Sequence, residues 1–244
     1  YHVQSFSPEF GLAFLGRIPL LELGWSGVDL FFLLSGFILF YVHEEEFRSL
    51  SWGRLRAFAV LRFFRVYPLA TAVLLLILIG GSAALGGARG VPAIHNPADL
   101  TPMAFVRTLL LATRWFAPFH GDWNQPVWSL SVEILGYCAL PFLALWLSRW
   151  ASARRLLALA VGCIALPLIV SVTTRDPHIN GIDSWAIVRM AACFSGGVAL
   201  CRAWRLMPRL DPHLAAIGAL LSVLAVAVLA LAPFGFALMD LAFG

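Results

Sequence analysis

No lysine occurs in this chain, so all 17 basic side chains are arginine, and only 12% of the 244 residues are charged. A soluble domain carries roughly 25% charged residues, and the deficit excludes an ordinary solvated globule. Nothing like a secretory leader opens the chain: Tyr1-His2-Val3-Gln4 has no basic start, apolar core or cleavage site. The chain also has no initiator Met and ends at Phe243-Gly244 inside an apolar stretch, which predicts a piece cut at both ends, its first span represented by a few last residues. Cysteine is scarce. Cys138, Cys163, Cys193 and Cys201 lie in apolar stretches, without the close pairing of a zinc or redox motif. They read as free core thiols, and no metal site is expected. An internal repeat of the kind that builds many transporters is also missing.

What remains is apolar. The chain is 61% hydrophobic with a mean hydropathy of +0.86, which makes it an all-α, polytopic integral membrane helix bundle forming a single domain over 1–244. Candidate spans are 25–42, 58–79, 127–147, 156–172, 187–204 and 214–231, each near the ~20 residues needed to cross. Arginines cluster between spans: Arg48, Arg54, Arg56, Arg62 and Arg65; then Arg149, Arg154 and Arg155; then Arg202, Arg205 and Arg209. The positive-inside rule puts all three clusters in the cytoplasm, and the alternation of spans agrees. The net charge of +4 therefore reports orientation rather than nucleic-acid binding. Segments 8–24, 82–126 and 174–185 fall outside. Within 82–126, the apolar stretch 104–119 carries Arg107 and Arg114 on one helical face and is too short and charged to cross. It is expected to be an interfacial or re-entrant helix, set among the irregular chain signalled by Gly80-Gly81, Gly86-Gly87, Pro92, Pro97 and Pro102.

Inside the spans a few polar groups stand where they are costly. A carboxylate in hydrocarbon costs roughly 3 kcal/mol or more unless paired or facing a cavity, so Glu133 is a candidate site residue. Ser129, Glu133 and Tyr137 repeat at i, i+4 and form one polar stripe, with Glu133 about 9 Å below the outer boundary. The alternative is a structural carboxylate bridging helices, paired with Arg189. Asp29 sits at the head of its span, with Gly36 on nearly the same face offering close helix packing. It is either a site residue or a carboxylate favoured by the helix dipole. Arg62 and Arg65, at i, i+3, present two guanidinium forks suited to a phosphate-bearing ligand, although positive-inside topology alone also supplies such arginines. His2, before Ser7-Pro8, is the side chain best suited to proton transfer near neutral pH. Trp115, Trp123 and Trp128 either stack on sugar rings or form an interfacial belt.

Four segments in order carry a resemblance: Tyr1-His2; Gly27-Val28-Asp29-Leu30-Phe31-Phe32-Leu33-Leu34-Ser35-Gly36; Arg62-Phe63-Phe64-Arg65-Val66-Tyr67-Pro68; and Trp128-Ser129-Leu130-Ser131-Val132-Glu133 with Tyr137 and Pro141. Together they resemble membrane acyltransferase family 3, integral proteins that O-acylate carbohydrates and other cell-surface acceptors. A fainter echo runs through 189–196. The resemblance implies a roughly ten-helix bundle, of which this chain lacks both ends. It implies His2 as the essential histidine and Arg62 and Arg65 as the pair on the acyl-CoA side. It puts Glu133 at the family's acidic position. An arginine expected upstream of the histidine is missing.

On that resemblance, acyl-CoA, with acetyl-CoA the commonest implied donor, would dock from the cytoplasm as a substrate rather than a resident cofactor. A hydroxyl of a carbohydrate or cell-envelope glycan would enter from outside, meeting Ser129, Trp128, Tyr137 and Asp29. His2 would act as general base, with Glu133 orienting it or binding the acceptor. Direct transfer and an acyl-histidine relay are both open. The competing classes are a proton- or anion-coupled transporter lined by Glu133, Asp29 and Arg189, and a non-catalytic membrane scaffold. Lysine-free, alanine-rich usage suggests a bacterial chain, hence the cytoplasmic membrane.

Overall fold

The computed structural model describes residues 26–85, 101–116, 123–124, 126–174 and 185–207. Among them are six α-helices and no strand: α1 (Ser26–Phe47), α2 (Trp52–Leu85), α3 (Pro102–Leu109), α4 (Val127–Ser148), α5 (Ala153–Thr174) and α6 (Ala186–Leu206). Two compact units divide the chain, and the architecture below is that of Asp29–Leu206. His2, Arg209 and the expected span at 214–231 lie outside the described residues.

Four helices are long and apolar enough to cross a bilayer: α1, α2, α4 and α6. α5, with 22 residues, occupies the expected fourth of the complete spans. The helices overrun the expected spans where polar turns continue them. α1 extends past Val42 through His43 and three glutamates, where Arg48 pairs with Glu45 at 3.0 Å. α2 begins six residues before the expected position 58, with Arg54 bonded back to the carbonyls of Glu46 and Ser49.

α6 is the central helix. Two-thirds of its apolar window is buried (67%, against 11% for α2). α5 and α4 pack on it, and α2 packs on α4 and α3.

The seam between α1 and α6 explains the small residues of both helices. A Cβ on Gly36 would lie 2.1 Å from the carbonyl oxygen of Phe194, and one on Gly197 would lie 2.0 Å from that of Leu33. Only hydrogen fits at this crossing. Ion pairs tie the same two helices near both ends. Asp29 and Arg189, each in the first turn of its helix, form a two-pronged pair at 3.1 and 3.0 Å. Toward the other end, buried Glu44 meets Arg202 at 3.0 Å and Arg205 at 2.7 Å. α1 and α6 therefore run parallel. Arg202 also donates to the carbonyl of Ser148, bringing the end of α4 to the same side. Three helix ends and their arginines gather on one face, the arrangement the alternation of spans requires.

Arg189 thus pairs with Asp29 and not with Glu133, correcting the pairing considered above. Asp29 ties α1 to α6 through this pair. The stretch after Thr101 also departs from expectation. Thr101 caps α3 through Ala104 N–H, and Pro102, expected in irregular chain, starts the helix, where its missing N–H costs nothing. But α3 stops after eight residues, and Leu111 reverses the chain with a left-handed backbone (φ 52°). That conformation costs about 1–2 kcal/mol for an L-residue and is offset by burial of the Leu111 side chain. Arg114 follows the turn and is buried against α4, so it shares no helical face with half-exposed Arg107. Cys193 and Cys201 are core thiols, whereas Cys138 is exposed and Cys163 half-buried, which corrects the reading of all four as core.

Candidate active site

Four of the polar side chains singled out in the sequence, Glu133, Tyr137, Arg62 and Arg65, share one cavity. A space of about 670 Å³ opens between α1, α2 and α4, with Glu133 and Tyr137 on α4, Arg62 and Arg65 on α2, and Ser35 on α1 in its wall. α2 runs antiparallel to α1 and α4, so the lining positions from Arg62 to Val73 and from Tyr137 back to Pro126 follow each other for about 16 Å. Arginines and Tyr137 mark one end. Val73, Asn124 and Pro126 mark the other, with Leu69, Ala70 and Leu130 between.

Glu133 is 2% exposed, and its carboxylate accepts a hydrogen bond of 2.5 Å from the Ser35 hydroxyl. Tyr137, one turn on, also bonds it, and the charges of Arg62 and Arg65 act on it across the cavity. The polar stripe expected on α4 is therefore real for Glu133 and Tyr137. Ser129 departs from it: its hydroxyl turns back to the carbonyl of Pro126, and the residue does not line the cavity. Trp128 is buried edge-on against Phe32, with ring centroids 6.3 Å apart, and is core rather than cavity wall. Trp115 donates to the Ser131 carbonyl at 2.7 Å and Trp123 to that of Thr101 at 3.1 Å. Trp128 thus packs α4 against α1, while Trp115 and Trp123 anchor the α3 segment.

Arg62 lies with its guanidinium carbon 5.5 Å above the Phe58 ring, and its buried Nε has no hydrogen-bond partner. Among the described residues neither Arg62 nor Arg65 forms an ion pair. Two cations facing a cavity, one with an unused buried donor, can take an anionic group by charge-assisted bonds. A second, apolar cavity of about 390 Å³ lies between α2 and α4 and shares Arg62 and Tyr137 with the first. Among the described residues no group of three or more His, Cys, Asp or Glu side chains could hold a metal ion.

The chain as a whole, and not the cavity alone, has counterparts. Residues 2–243 match the family described as an acyltransferase domain, acyltransferase family 3. The chain belongs to that family. Acyltransferase MdmB of Streptomyces mycarofaciens is 32% identical over 159 residues, a match covering 63% of this chain and 37% of that protein. No solved structure matches. For a family 3 acyltransferase domain the multi-pass helical architecture follows directly, and the cavity gathers three of the residues expected from the sequence to serve the site: Arg62, Arg65 and Glu133.

One residue of this site, and one that supports it from behind, went unremarked in the sequence. Ser35 sits in an apolar run and reads there as a small packing residue; only the partner helix reveals its hydroxyl as a donor to Glu133. Ser131 is fully buried on the other side of α4 and receives both Arg114 N–H (3.1 Å) and, at its carbonyl, Trp115. It docks the loop after α3 against the helix that carries Glu133. Its spacing from Glu133, two residues, marks it as facing away from the cavity.

Proposed function

We propose that this domain transfers an acyl group from acyl-CoA, acetyl-CoA being the simplest donor, to a hydroxyl of a carbohydrate or other cell-envelope acceptor in a bacterial cytoplasmic membrane. The observation that carries the reading is the convergence on one cavity of a buried carboxylate and two arginines that form no ion pair among the described residues, 68 and 71 positions earlier in the chain. Its volume falls within the ~300–1,000 Å³ of small-molecule sites.

In this reading the phosphates of acyl-CoA sit at Arg62 and Arg65, and the narrow thioester arm extends along the cavity toward Glu133. The acceptor approaches from the end near Asn124 and Pro126. His2 removes the proton as the hydroxyl oxygen attacks the thioester carbonyl; the new C–O bond forms, the C–S bond breaks and CoA leaves as its thiolate. Glu133 orients the imidazole or the acceptor. An acyl-histidine relay differs only in that His2 first takes the acyl group itself, and labelled acyl-enzyme formed without acceptor distinguishes it.

The test follows CoA release by the full-length protein in vesicles supplied with acetyl-CoA. Arg62→Ala and Arg65→Ala should each raise KM for acyl-CoA roughly tenfold or more, since a hydrogen bond to a charged group contributes about 1.5–3 kcal/mol. His2→Ala should cost roughly 10²–10⁴ in kcat, the range of a positioned general base. Unchanged CoA release in His2→Ala would remove the assigned base. Solute flux without any CoA release would replace transfer by transport.

A further inference from the structure

We infer that Ser35 is a positioning residue for Glu133, held in place by the α6 crossing, and that α1 therefore contributes directly to the reaction geometry.

The argument begins at Phe194 on α6. Its backbone carbonyl lies where a Cβ on Gly36 would be, and its ring edge comes within 3.1 Å of a Cβ built on Gly136. Gly36 is the residue after Ser35, and Gly136 is three residues, almost one turn, past Glu133. One side chain and its own carbonyl thus set the distance of both α1 and α4 from α6. The consequence appears on the cavity side, where the Ser35 hydroxyl reaches Glu133 at 2.5 Å across 98 residues of sequence.

A carboxylate on a flexible side chain has several rotamers in a cavity of this size, and fixing one costs conformational entropy. Ser35 holds Glu133 by a short charge-assisted bond from a residue that is itself immobilised by its glycine neighbour. Glu133 then presents its remaining acceptor capacity in a defined direction without reorganising during the reaction. Ser35 touches no transferred atom in this scheme and acts through Glu133. The assignment rests on the acyl-transfer reading above.

A double-mutant cycle tests it: Ser35→Ala, Glu133→Gln and the pair, in the full-length protein in vesicles, with kcat and KM for acetyl-CoA measured separately. Ser35→Ala should lower kcat roughly tenfold or more at unchanged KM, and should add less than about twofold once Glu133 is already Gln. Ser35→Thr, which keeps the hydroxyl, should recover most of the loss. The infrared carboxyl band removed by Glu133→Gln should shift in Ser35→Ala, a readout independent of turnover. Equal losses from Ser35→Ala in both backgrounds, or an unshifted band, would overturn the positioning role while leaving acyl transfer intact. Wild-type turnover in Glu133→Gln would instead overturn the role of Glu133, and with it that of Ser35.

Discussion

At the scale of single residues, glycines do as much for this site as the charged groups. Gly36 and Gly197 face backbone carbonyls of the opposing helix at 2.1 and 2.0 Å from an added Cβ, and neither carbonyl can rotate away as a side-chain tip would. Gly36→Ala should therefore cost at the upper end of overpacking, about 3 kcal/mol, and lower the unfolding temperature of the detergent-solubilised protein. Gly162→Ala, where a Cβ meets nothing within 4 Å, is the matched control. It should be neutral or slightly stabilising, because alanine is favoured over glycine by ~1 kcal/mol in a helix. Equal behaviour of the two variants would mean that α1 and α6 do not cross at Gly36. Because Ser35 adjoins that crossing, Gly36→Ala should also lose more turnover than its loss of folded protein accounts for.

At the scale of elements, α1 is held to α6 by two carboxylate–arginine connections, one near each end, and they differ in surroundings. Glu44 is 1% exposed and serves Arg202 and Arg205 together, with Arg48 at 4.0 Å; Glu45, the next residue, is exposed and among the described residues pairs with Arg48 alone. Glu44→Gln leaves two arginines facing a neutral amide and should cost about 3 kcal/mol, as breaking a buried pair does. Glu45→Gln should change stability by less than ~1 kcal/mol. Thermal unfolding of the two variants side by side decides it, and equal shifts would demote the cluster to surface decoration. These contrasts were not readable from the sequence. Hydropathy marked helices α1, α2, α4, α5 and α6 to within six residues at either end, because apolar length is a local property. It missed the last turns of α1, whose glutamates are made tolerable by arginines about 160 positions away. The partner of Arg189 was equally hidden. A helical stripe reveals neighbours on its own helix, as with Glu133 and Tyr137, but cannot say that Arg189 meets Asp29 while Glu133 meets Ser35. Ser129 shows the converse limit: the right register for the cavity, but a hydroxyl captured by the open carbonyl of the preceding turn.

At the scale of the whole molecule, the arrangement of charge and the arrangement of the cavity must point the same way if a cytoplasmic donor is to be used. Arg149 follows α4, Arg154 and Arg155 open α5, and Arg202 and Arg205 end α6 beside Ser148, so these arginines share the face where α1 also ends. Arg62 and Arg65 line the cavity end nearer that face, since α2 starts there and runs back along α4. The positive-inside rule predicts that this face is cytoplasmic. The phosphates of the proposed donor and this predicted topology then agree without any further movement of the protein. A single-cysteine labelling experiment checks it in the full-length protein with the native cysteines replaced. Ser152→Cys, in the α4–α5 turn, should react with a membrane-impermeant maleimide only in inside-out vesicles, and Thr101→Cys, at the cap of α3, only in right-side-out ones. The opposite pattern would put Arg62 and Arg65 toward the outside. Acyl-CoA, confined to the cytoplasm, would then have to reach them through the apolar half of the cavity, past Leu69, Ala70 and Val73, where nothing offsets the cost of desolvating its phosphates.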